Sequence, residues 1–358
     1  MDDLSALGFG PFFERQLQPS DGDVVIPARI AAEHRGIFEV WSTIGSGRAQ
    51  LAGRLRLELE HASPPGVGDW VVLEDAPGPD RTAVIKRVLE RRTVFTRGAA
   101  GREARAQVVA ANVDLVFAMC GLDADFSVRR IERYLARIWA GGARPSVVLN
   151  KADICADTGA RVAEVESHAA GVPIHVISAL HAEGIEAVRA CIDEGMTVAL
   201  VGSSGAGKST LVNALLGQER MRTGEVRASD GRGCHITTHR QLVLLPGGGL
   251  LLDTPGMREL QLLDEDGIDT VFGDVAALAS RCRFRDCRHD TEPGCAVKEA
   301  VESGELDPDR VEHYHMLERE ARANELRHDE HRRRQAERVW GQLSDEVALL
   351  RKWKGGKP

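Results

Sequence analysis

The chain has 358 residues, of which 43% are hydrophobic and 28% charged, and its formal net charge at pH 7 is -8. This is the composition of a soluble globular protein, and the length predicts two or three domains of about 150 residues each. No run approaches the roughly 20 apolar residues that a membrane span needs, which excludes an integral membrane protein. The N-terminal residues lack a secretory signal, so we expect a cytoplasmic protein whose seven cysteines are reduced thiols or metal ligands.

The first 97 residues contain two segments of different character. Residues 1–22 show little hydrophobic periodicity and are predicted to form a flexible N-terminal arm. Residues 23–97 contain short apolar runs separated by Gly, Pro and Asp, a pattern typical of a small all-β domain. A five-stranded barrel of the oligonucleotide-binding type (OB-like) is favoured, since its grooved face suits RNA, and a structural β module is the alternative. The runs assigned to strands are Val24–Ile26, Gly36–Val40, Leu55–Leu59, Asp69–Leu73 and Ala83–Ile85.

Between residues 98 and 268, apolar strands alternate with amphipathic helices. This alternation predicts a doubly wound α/β sheet, and therefore a multidomain α/β protein. After residue 268 the strands stop, and residues 269–358 are predicted to form a helical domain around a cysteine cluster. Strands are predicted at 114–119, 146–149, 174–177, 197–201, 241–245 and 250–252, and helices at 128–140, 161–170, 185–192 and 208–216.

A phosphate-binding loop follows the predicted strand at 197–201. The pattern G-x-x-x-x-G-K-[ST] fits a segment that lies between this strand and a predicted helix, which is the context that the motif requires. Glycines allow successive backbone N–H groups to face the phosphates, Lys208 neutralises the β and γ oxygens, and Ser209 binds Mg²⁺. The loop consists of Gly202, Ser203, Ser204, Gly205, Ala206, Gly207, Lys208 and Ser209.

A base-reading motif, N-K-x-D, follows the predicted strand at 146–149. Asp153 can accept two hydrogen bonds from guanine N1–H and the 2-amino group, whereas adenine lacks this donor pair and would leave a desolvated carboxylate unpaired. Asn150 supports the loop, and the stem of Lys151 covers the ring face. Ser178 and Ala179 follow the strand at 174–177 and suit the companion loop whose N–H meets guanine O6. The base that these residues select is guanine.

Two further segments complete a GTPase site, but the motifs run in an unusual order. Asp253 and Gly256 follow an apolar strand and are placed to hold Mg²⁺ through water and to sense the γ-phosphate. Residues 232–239 lie where a first switch would be, and one of their threonines should reach Mg²⁺. The base-reading motifs precede the phosphate loop, which indicates a circular permutation. The permutation places the C-terminal region directly after the second switch in the chain, where it can respond to the γ-phosphate.

A cluster of three cysteines and one histidine, C-x4-C-x-H-x5-C, lies within fourteen residues of the C-terminal region. This is the ligand set of a closed structural Zn²⁺ site, and four protein ligands leave no open position for catalysis. A reduced cluster without metal is the alternative. The ligands are Cys282, Cys287, His289 and Cys295.

Together, the barrel, the permuted motifs and the Cys₃His cluster resemble the RsgA (YjeQ) family of circularly permuted GTPases that depend on the small ribosomal subunit. The resemblance implies late maturation of the 30S subunit, contact with 16S ribosomal RNA, and hydrolysis of GTP to GDP and phosphate that the subunit stimulates. It also implies a structural Zn²⁺ and a Mg²⁺ bound with GTP, and it extends the phosphate-binding residues to Thr210.

The resemblance also suggests the catalytic residues. Met257 occupies the position at which a Ras-like enzyme has the glutamine that orients water, and a thioether cannot do this. The resemblance gives that role to His235, together with Lys208 and Thr237 as catalytic groups. Family members carry threonines directly after the switch histidine, whereas Ile236 stands there in this chain, so Thr237 and Thr238 both remain candidates for the Mg²⁺ ligand.

Two basic segments are candidate contacts with the RNA backbone. Residues 81–105 contain eight Arg or Lys against two Glu, and residues 319–358 contain eleven against seven acidic residues, among them Arg332, Arg333 and Arg334. We expect a monomer. The alternatives are a non-ribosomal regulatory GTPase with protein partners and, disfavoured by the guanine motif, an ATP-dependent P-loop kinase or ATPase.

Overall fold

The computed structural model describes residues 4–19, 25–34, 36–59, 64–98, 106–217, 240–253 and 266–326. Within these ranges, no helix is long and apolar enough to cross a membrane. The strands are β1 (Ile26–His34), β2 (Ile37–Ser42), β3 (Gly45–Leu51), β4 (Trp70–Leu73), β5 (Thr82–Val88), β6 (Val94–Gly98), β7 (Ala106–Ala111), β8 (Leu115–Gly121), β9 (Arg144–Asn150), β10 (Ile174–Val176), β11 (Thr197–Gly202), β12 (Gln241–Leu244) and β13 (Leu250–Asp253). The helices are α1 (Pro11–Glu14), α2 (Gly53–Leu59), α3 (Val128–Ala140), α4 (Thr158–His168), α5 (Ile185–Arg189), α6 (Lys208–Leu216), α7 (Asp266–Val271), α8 (Gly273–Ala279), α9 (Ala296–Ser303) and α10 (308–326).

Strands β1 to β5 form a closed five-stranded barrel, which confirms the predicted OB-like domain. Strand β1 pairs with both β2 and β4, β3 pairs with β2 and in parallel with β5, and β5 pairs with β4, so the ring closes. Alternate residues of these strands, among them Ile30, Val40 and Ile85, fill the interior.

One predicted strand of this domain is wrong. Residues 55–59 lie in helix α2, and the third strand of the barrel is β3 instead. The alternating leucines suggested a strand, but only Leu55 packs against the barrel interior, while Leu57 is 63% exposed. Strand β3 is rich in Gly and polar residues and buries only Ala49, so it gave no apolar pattern to detect.

The N-terminal segment packs onto the barrel instead of forming the predicted flexible arm, at least over residues 4–19. Leu7 and Phe13 are fully buried. The rings of Phe9 and Phe13 lie 4.7 and 5.8 Å from that of Trp70, at strand β4. The physical reason is the burial of aromatic rings, which orders the segment although its sequence shows little hydrophobic periodicity.

A buried arginine joins this segment to the barrel and the next domain. Arg29 of β1 donates to the carbonyl oxygens of Leu7, Gly68 and Asn112 and, at 2.7 Å, to Oγ1 of Thr197. Its burial lowers the pKa of the guanidinium to about 10. These contacts fix the N-terminal segment, the barrel and strand β11 to one another.

The second domain is the predicted doubly wound sheet, with strand order β10-β9-β8-β11-β13-β12. All neighbours are parallel except β12, which runs antiparallel to β13. Helices α3 and α4 cover one face, and α5 and α6 cover the other. Barrel strand β1 pairs with β12 at Ala32 and Gln241, so a single eleven-stranded sheet runs through both domains. The hairpin β6–β7 crosses the boundary that the sequence placed at residue 97.

Helices α7 to α10 pack on the outer face of α3. Phe272, Val275 and Leu317 share one core with Ile131 and Leu135 of α3. The approach is close, since a Cβ atom at Gly267 would lie 2.1 Å from the carbonyl oxygen of Ala136. The C-terminal region is therefore attached to the doubly wound sheet through α3, in addition to its chain connection after β13.

Candidate functional site

The phosphate loop connects the buried strand β11 to helix α6. Gly207 precedes the helix with φ +91°, and an added Cβ atom would lie 2.1 Å from Nδ2 of Asn150. Only glycine fits this position. Lys208 donates from Nζ to the carbonyl oxygens of Gly202, at 2.7 Å, and Ser203. Since the ammonium already lies inside the loop, anionic phosphate oxygens can replace these carbonyls as its acceptors.

Asn150 holds three loops together at the carboxyl edge of the sheet. Its Nδ2 donates to the carbonyl oxygen of Ala206, and its Oδ1 accepts from the backbone N–H of Ala179, both at 2.9 Å. The side chain is only 3% exposed. The phosphate loop and the two predicted base-reading loops, which are far apart in the sequence, therefore meet at one side chain.

The predicted guanine-reading carboxylate is pre-oriented. Oγ of Ser178 donates to Oδ1 of Asp153 at 2.6 Å, and this hydrogen bond lowers the pKa of the carboxyl group. Lys151, which has φ +70°, donates from Nζ to the carboxylate of Asp123. Oδ2 of Asp153 lies 4.0 Å from Nε2 of the exposed His181, and the ionised carboxylate has the acceptor capacity for further hydrogen bonds from a ligand.

Part of the predicted magnesium site lies outside the described residues. Ser209 stands in the first turn of α6, and β13 pairs in parallel with β11, which places the backbone of Asp253 beside the phosphate-loop strand. The side chain of Asp253 and the predicted residues Gly256, His235 and Thr237 belong to the part of the chain that is not described. Their assignments remain predictions.

The Cys₃His cluster has the dimensions of a tetrahedral zinc site. With Zn–S of about 2.3 Å and Zn–N of about 2.0–2.1 Å, a regular tetrahedron places two sulfurs about 3.8 Å apart and a sulfur about 3.6 Å from the nitrogen. In the structure, Sγ of Cys282 lies 3.9 Å from Sγ of Cys295, and Nδ1 of His289 lies 3.6 and 3.4 Å from these two sulfurs. All four ligand atoms, including that of Cys287, lie within 4.8 Å of one another. The cluster fits Zn²⁺.

Binding of a metal ion would change the protonation state of the cluster. Burial, together with the thiols of Cys295 and Cys282, raises the pKa of the Cys287 thiol to about 11. Zinc binds thiolates, so metal binding would release a proton from this residue at neutral pH.

Comparisons with known proteins identify the family. The family model described as RsgA GTPase matches residues 88–263. The "Small ribosomal subunit biogenesis GTPase RsgA" of Opitutus terrae is 47% identical over 327 residues, which cover 88% of this chain and 89% of that protein. The protein of the same name from Xylella fastidiosa is 51% identical over 294 residues, or 81% of this chain and 84% of that one. The chain belongs to the RsgA GTPase family.

Two solved structures agree with this membership. YjeQ from Thermotoga maritima superimposes with a TM-score of 0.62 at 28% identity, over 83% of this chain and 99% of that one. YloQ, described as a circularly permuted GTPase, superimposes with a TM-score of 0.61 at 22% identity, over 86% and 98%, and supports the fold alone. Family membership confirms the predicted GTP hydrolase activity, and the predicted circular permutation is confirmed by the order of the motifs, since Asn150 precedes the phosphate loop at Gly202 within one doubly wound sheet.

Two acidic residues of the site were missed by the sequence analysis. Asp123 binds Lys151, and Oδ2 of Asp125 accepts from Oγ of Ser203 at 2.6 Å. Both follow the buried strand β8, whose carboxyl end lies at the same edge as the nucleotide loops. Their position in the sequence could have revealed them, because residues directly after a central parallel strand lie at the edge where ligands bind. They were missed because neither belongs to a known motif.

The basic segment at 81–105 differs from a simple RNA-binding surface. Arg91 forms a bidentate pair with the fully buried Asp69, and Arg92 pairs with Asp114 at 3.0 Å. Arg81 is paired with Asp75. These three arginines stabilise the barrel and its junction, so they offer less charge to RNA than the sequence suggested. Arg332, Arg333 and Arg334 lie outside the described residues.

Proposed function

We propose that this GTPase acts in the late maturation of the small ribosomal subunit, binding 16S rRNA in the 30S particle and hydrolysing GTP when the particle stimulates it. The names of the relatives support the biological process. The observation that carries the catalytic part is the position of Asn150, which joins the phosphate loop to both base-reading loops. A permuted chain brings these loops together only if the pocket of an ordinary GTPase is retained.

Within this proposal, each loop has a defined role. Asp153 reads guanine, and Ser178 and Ala179 support the base-reading loop. The backbone from Gly202 to Thr210 binds phosphates, with Lys208 at the β and γ oxygens. Ser209, Thr237 and the water-mediated Asp253 hold Mg²⁺, which would supply charge neutralisation at the β and γ oxygens. Gly256 contacts the γ-phosphate.

The Zn²⁺ is structural, one per chain, and is bound by the four residues of the Cys₃His cluster. Residues 280–295 form turns and bends without a helix or strand, so the metal ion would stabilise a part of the C-terminal domain that lacks regular secondary structure. We further propose a cytoplasmic monomer that contacts RNA through the barrel and through the C-terminal basic residues. Binding to the subunit should then weaken steeply between about 50 and 200 mM salt.

The test is GTP turnover with and without purified 30S particles, with ATP as competitor. We expect stimulation by 30S particles, none by 50S particles, and no competition by ATP. Association with protein partners but not with 30S particles would instead favour a non-ribosomal regulatory GTPase.

The same assay tests the catalytic histidine. His235→Ala should retain GTP binding and lose most of the stimulated turnover, because His235 is proposed to orient the attacking water. His168→Ala, which changes the last residue of α4, is the matched control and should behave as the wild type. Unchanged stimulated turnover in His235→Ala would remove this residue from the mechanism.

A further inference from the structure

The turn at 122–126, between β8 and α3, contacts two of the nucleotide loops through two carboxylates. Asp123 accepts from Nζ of Lys151, the middle residue of the guanine-reading motif. Asp125 accepts at 2.6 Å from Oγ of Ser203, the second residue of the phosphate loop. Neither carboxylate lies in one of the nucleotide-binding motifs identified in the sequence.

The turn is held in place independently of these contacts. The N–H of Leu122 donates to the carbonyl oxygen of Asn150 at 2.7 Å, and the N–H of Asp125 donates to Oδ1 of Asp123 at 3.1 Å. Ser127 caps helix α3 through the N–H of Arg130. These hydrogen bonds anchor the turn to the end of β9 and to the start of α3, so it can act as a fixed support for the side chains that touch it.

The charges of the turn are balanced. Asp125 is also paired with Nη1 of Arg130 at 2.6 Å, and the hydrogen bonds from Arg130 and Ser203 lower the pKa of its carboxyl group. The hydrogen bond from Lys151 likewise lowers the pKa of Asp123. Both groups are therefore ionised at neutral pH, while the partner cations limit their repulsion of a bound phosphate.

We propose that Asp123 and Asp125 are positioning residues of the nucleotide site. Asp123 fixes the ammonium of Lys151, so that the aliphatic stem is ordered before guanine binds against it. Asp125 fixes Ser203 and with it the first turn of the phosphate loop. Ordering these groups in the free protein removes a cost that binding would otherwise carry. The proposal rests on the guanine-nucleotide function given above and adds two residues to it.

The experiment measures the dissociation constants of fluorescent GDP and of a non-hydrolysable GTP analogue for the full-length protein with its zinc. Asp123→Asn and Asp125→Asn should each weaken binding about three- to ten-fold, because the neutral amide keeps the shape but loses the charge-assisted bond. Asp157→Asn is the matched control. Asp157 caps helix α4 through the N–H of Ala160, and asparagine can keep this role. The nucleotide affinity of Asp157→Asn should therefore equal that of the wild type.

A double-mutant cycle separates positioning from a merely structural effect. Lys151→Met keeps the stem and removes the ammonium, so Asp123→Asn should add nothing to it if the aspartate acts through that lysine. Ser203→Ala should similarly cancel the effect of Asp125→Asn, and Asp123→Glu should recover part of the affinity. Additive losses in both cycles, or wild-type affinity in both asparagine variants, would overturn the proposal. Failure of the wild type itself to bind GDP would overturn the proposed function as well, whereas wild-type binding separates the two.

Discussion

The contact between helix α3 and the C-terminal domain depends on a buried carboxylate, Glu132. Its Oε2 lies 2.6 Å from Nδ1 of His313, and its Oε1 lies 2.5 Å from Nη1 of Arg310. The side chains of Glu132 and His313 are 2% and 1% exposed. Arg310 also pairs with Asp274 of α8 and donates to the carbonyl oxygen of Val271. Glu132→Ala therefore removes one end of a network that joins the two domains.

The structure sets the expected loss in the free energy of unfolding of Glu132→Ala. Removing one partner of a buried ion pair costs about 3–5 kcal/mol, mostly because a buried charge is left without its counter-charge. Arg310 keeps the half-exposed Asp274, so the loss should lie near about 3 kcal/mol, or roughly 4 °C in melting temperature for a chain of 358 residues. Glu132→Gln keeps the shape and one acceptor and should lose only about 1–2 kcal/mol.

Urea unfolding followed by circular dichroism measures this loss, with zinc present throughout. The matched control is Glu166→Ala, which truncates an exposed glutamate on helix α4 and should change stability by less than about 0.5 kcal/mol. Hydrogen exchange should locate the effect of Glu132→Ala in residues 266–326. If Glu132→Ala and the control were equally stable, or if exchange were unaltered in these residues, the carboxylate would not hold the domains together.

Further predictions concern the phosphate loop, the zinc site and the pH dependence. Gly207→Ala should weaken GDP binding at least about ten-fold in a fluorescence titration, because its Cβ would displace Asn150, while Gly10→Ala, which meets nothing within 4 Å, should not. Chelation of zinc, or Cys295→Ser, should increase hydrogen exchange around residues 280–303 and leave GDP affinity intact. Burial raises the pKa of Glu33, so the contribution of this residue to stability should fall as pH rises from about 4.3 through that raised pKa, and urea titrations should show the wild type losing stability relative to Glu33→Gln over this range.

The parts of the site that were predictable are those encoded by short local patterns. Asn150, Asp153 and Lys208 each follow a strongly apolar strand within a few residues, so the strand fixes the loop at the carboxyl edge and the motif identifies its chemistry. The metal cluster was predictable for a similar reason, since its four ligands lie close together in the chain. In all of these cases, the information is contained in fewer than about fifteen consecutive residues.

The parts that were missed depend on distant contacts. Arg29 is an isolated arginine in an apolar strand, and its burial is possible only because carbonyl groups from three separate segments converge on it. The leucines of α2 alternate as in a strand, but the pair of Arg54 with Glu58 and the exposure of Leu57 fit a helix on the barrel surface. Periodicity shows which side chains of a segment are apolar, whereas tertiary contacts decide which of them are buried.

The packing on α3 changes how the C-terminal domain can respond to the nucleotide. The permuted chain order connects this domain to the segment after Asp253, where the γ-phosphate would be sensed. Helix α3 provides a second connection, because the turn before it contacts Lys151 and Ser203. These two residues belong to the guanine-reading motif and the start of the phosphate loop, which GDP and GTP fill alike. The α3 contact should therefore hold the domain in both nucleotide states, and this contact by itself does not distinguish GTP from GDP.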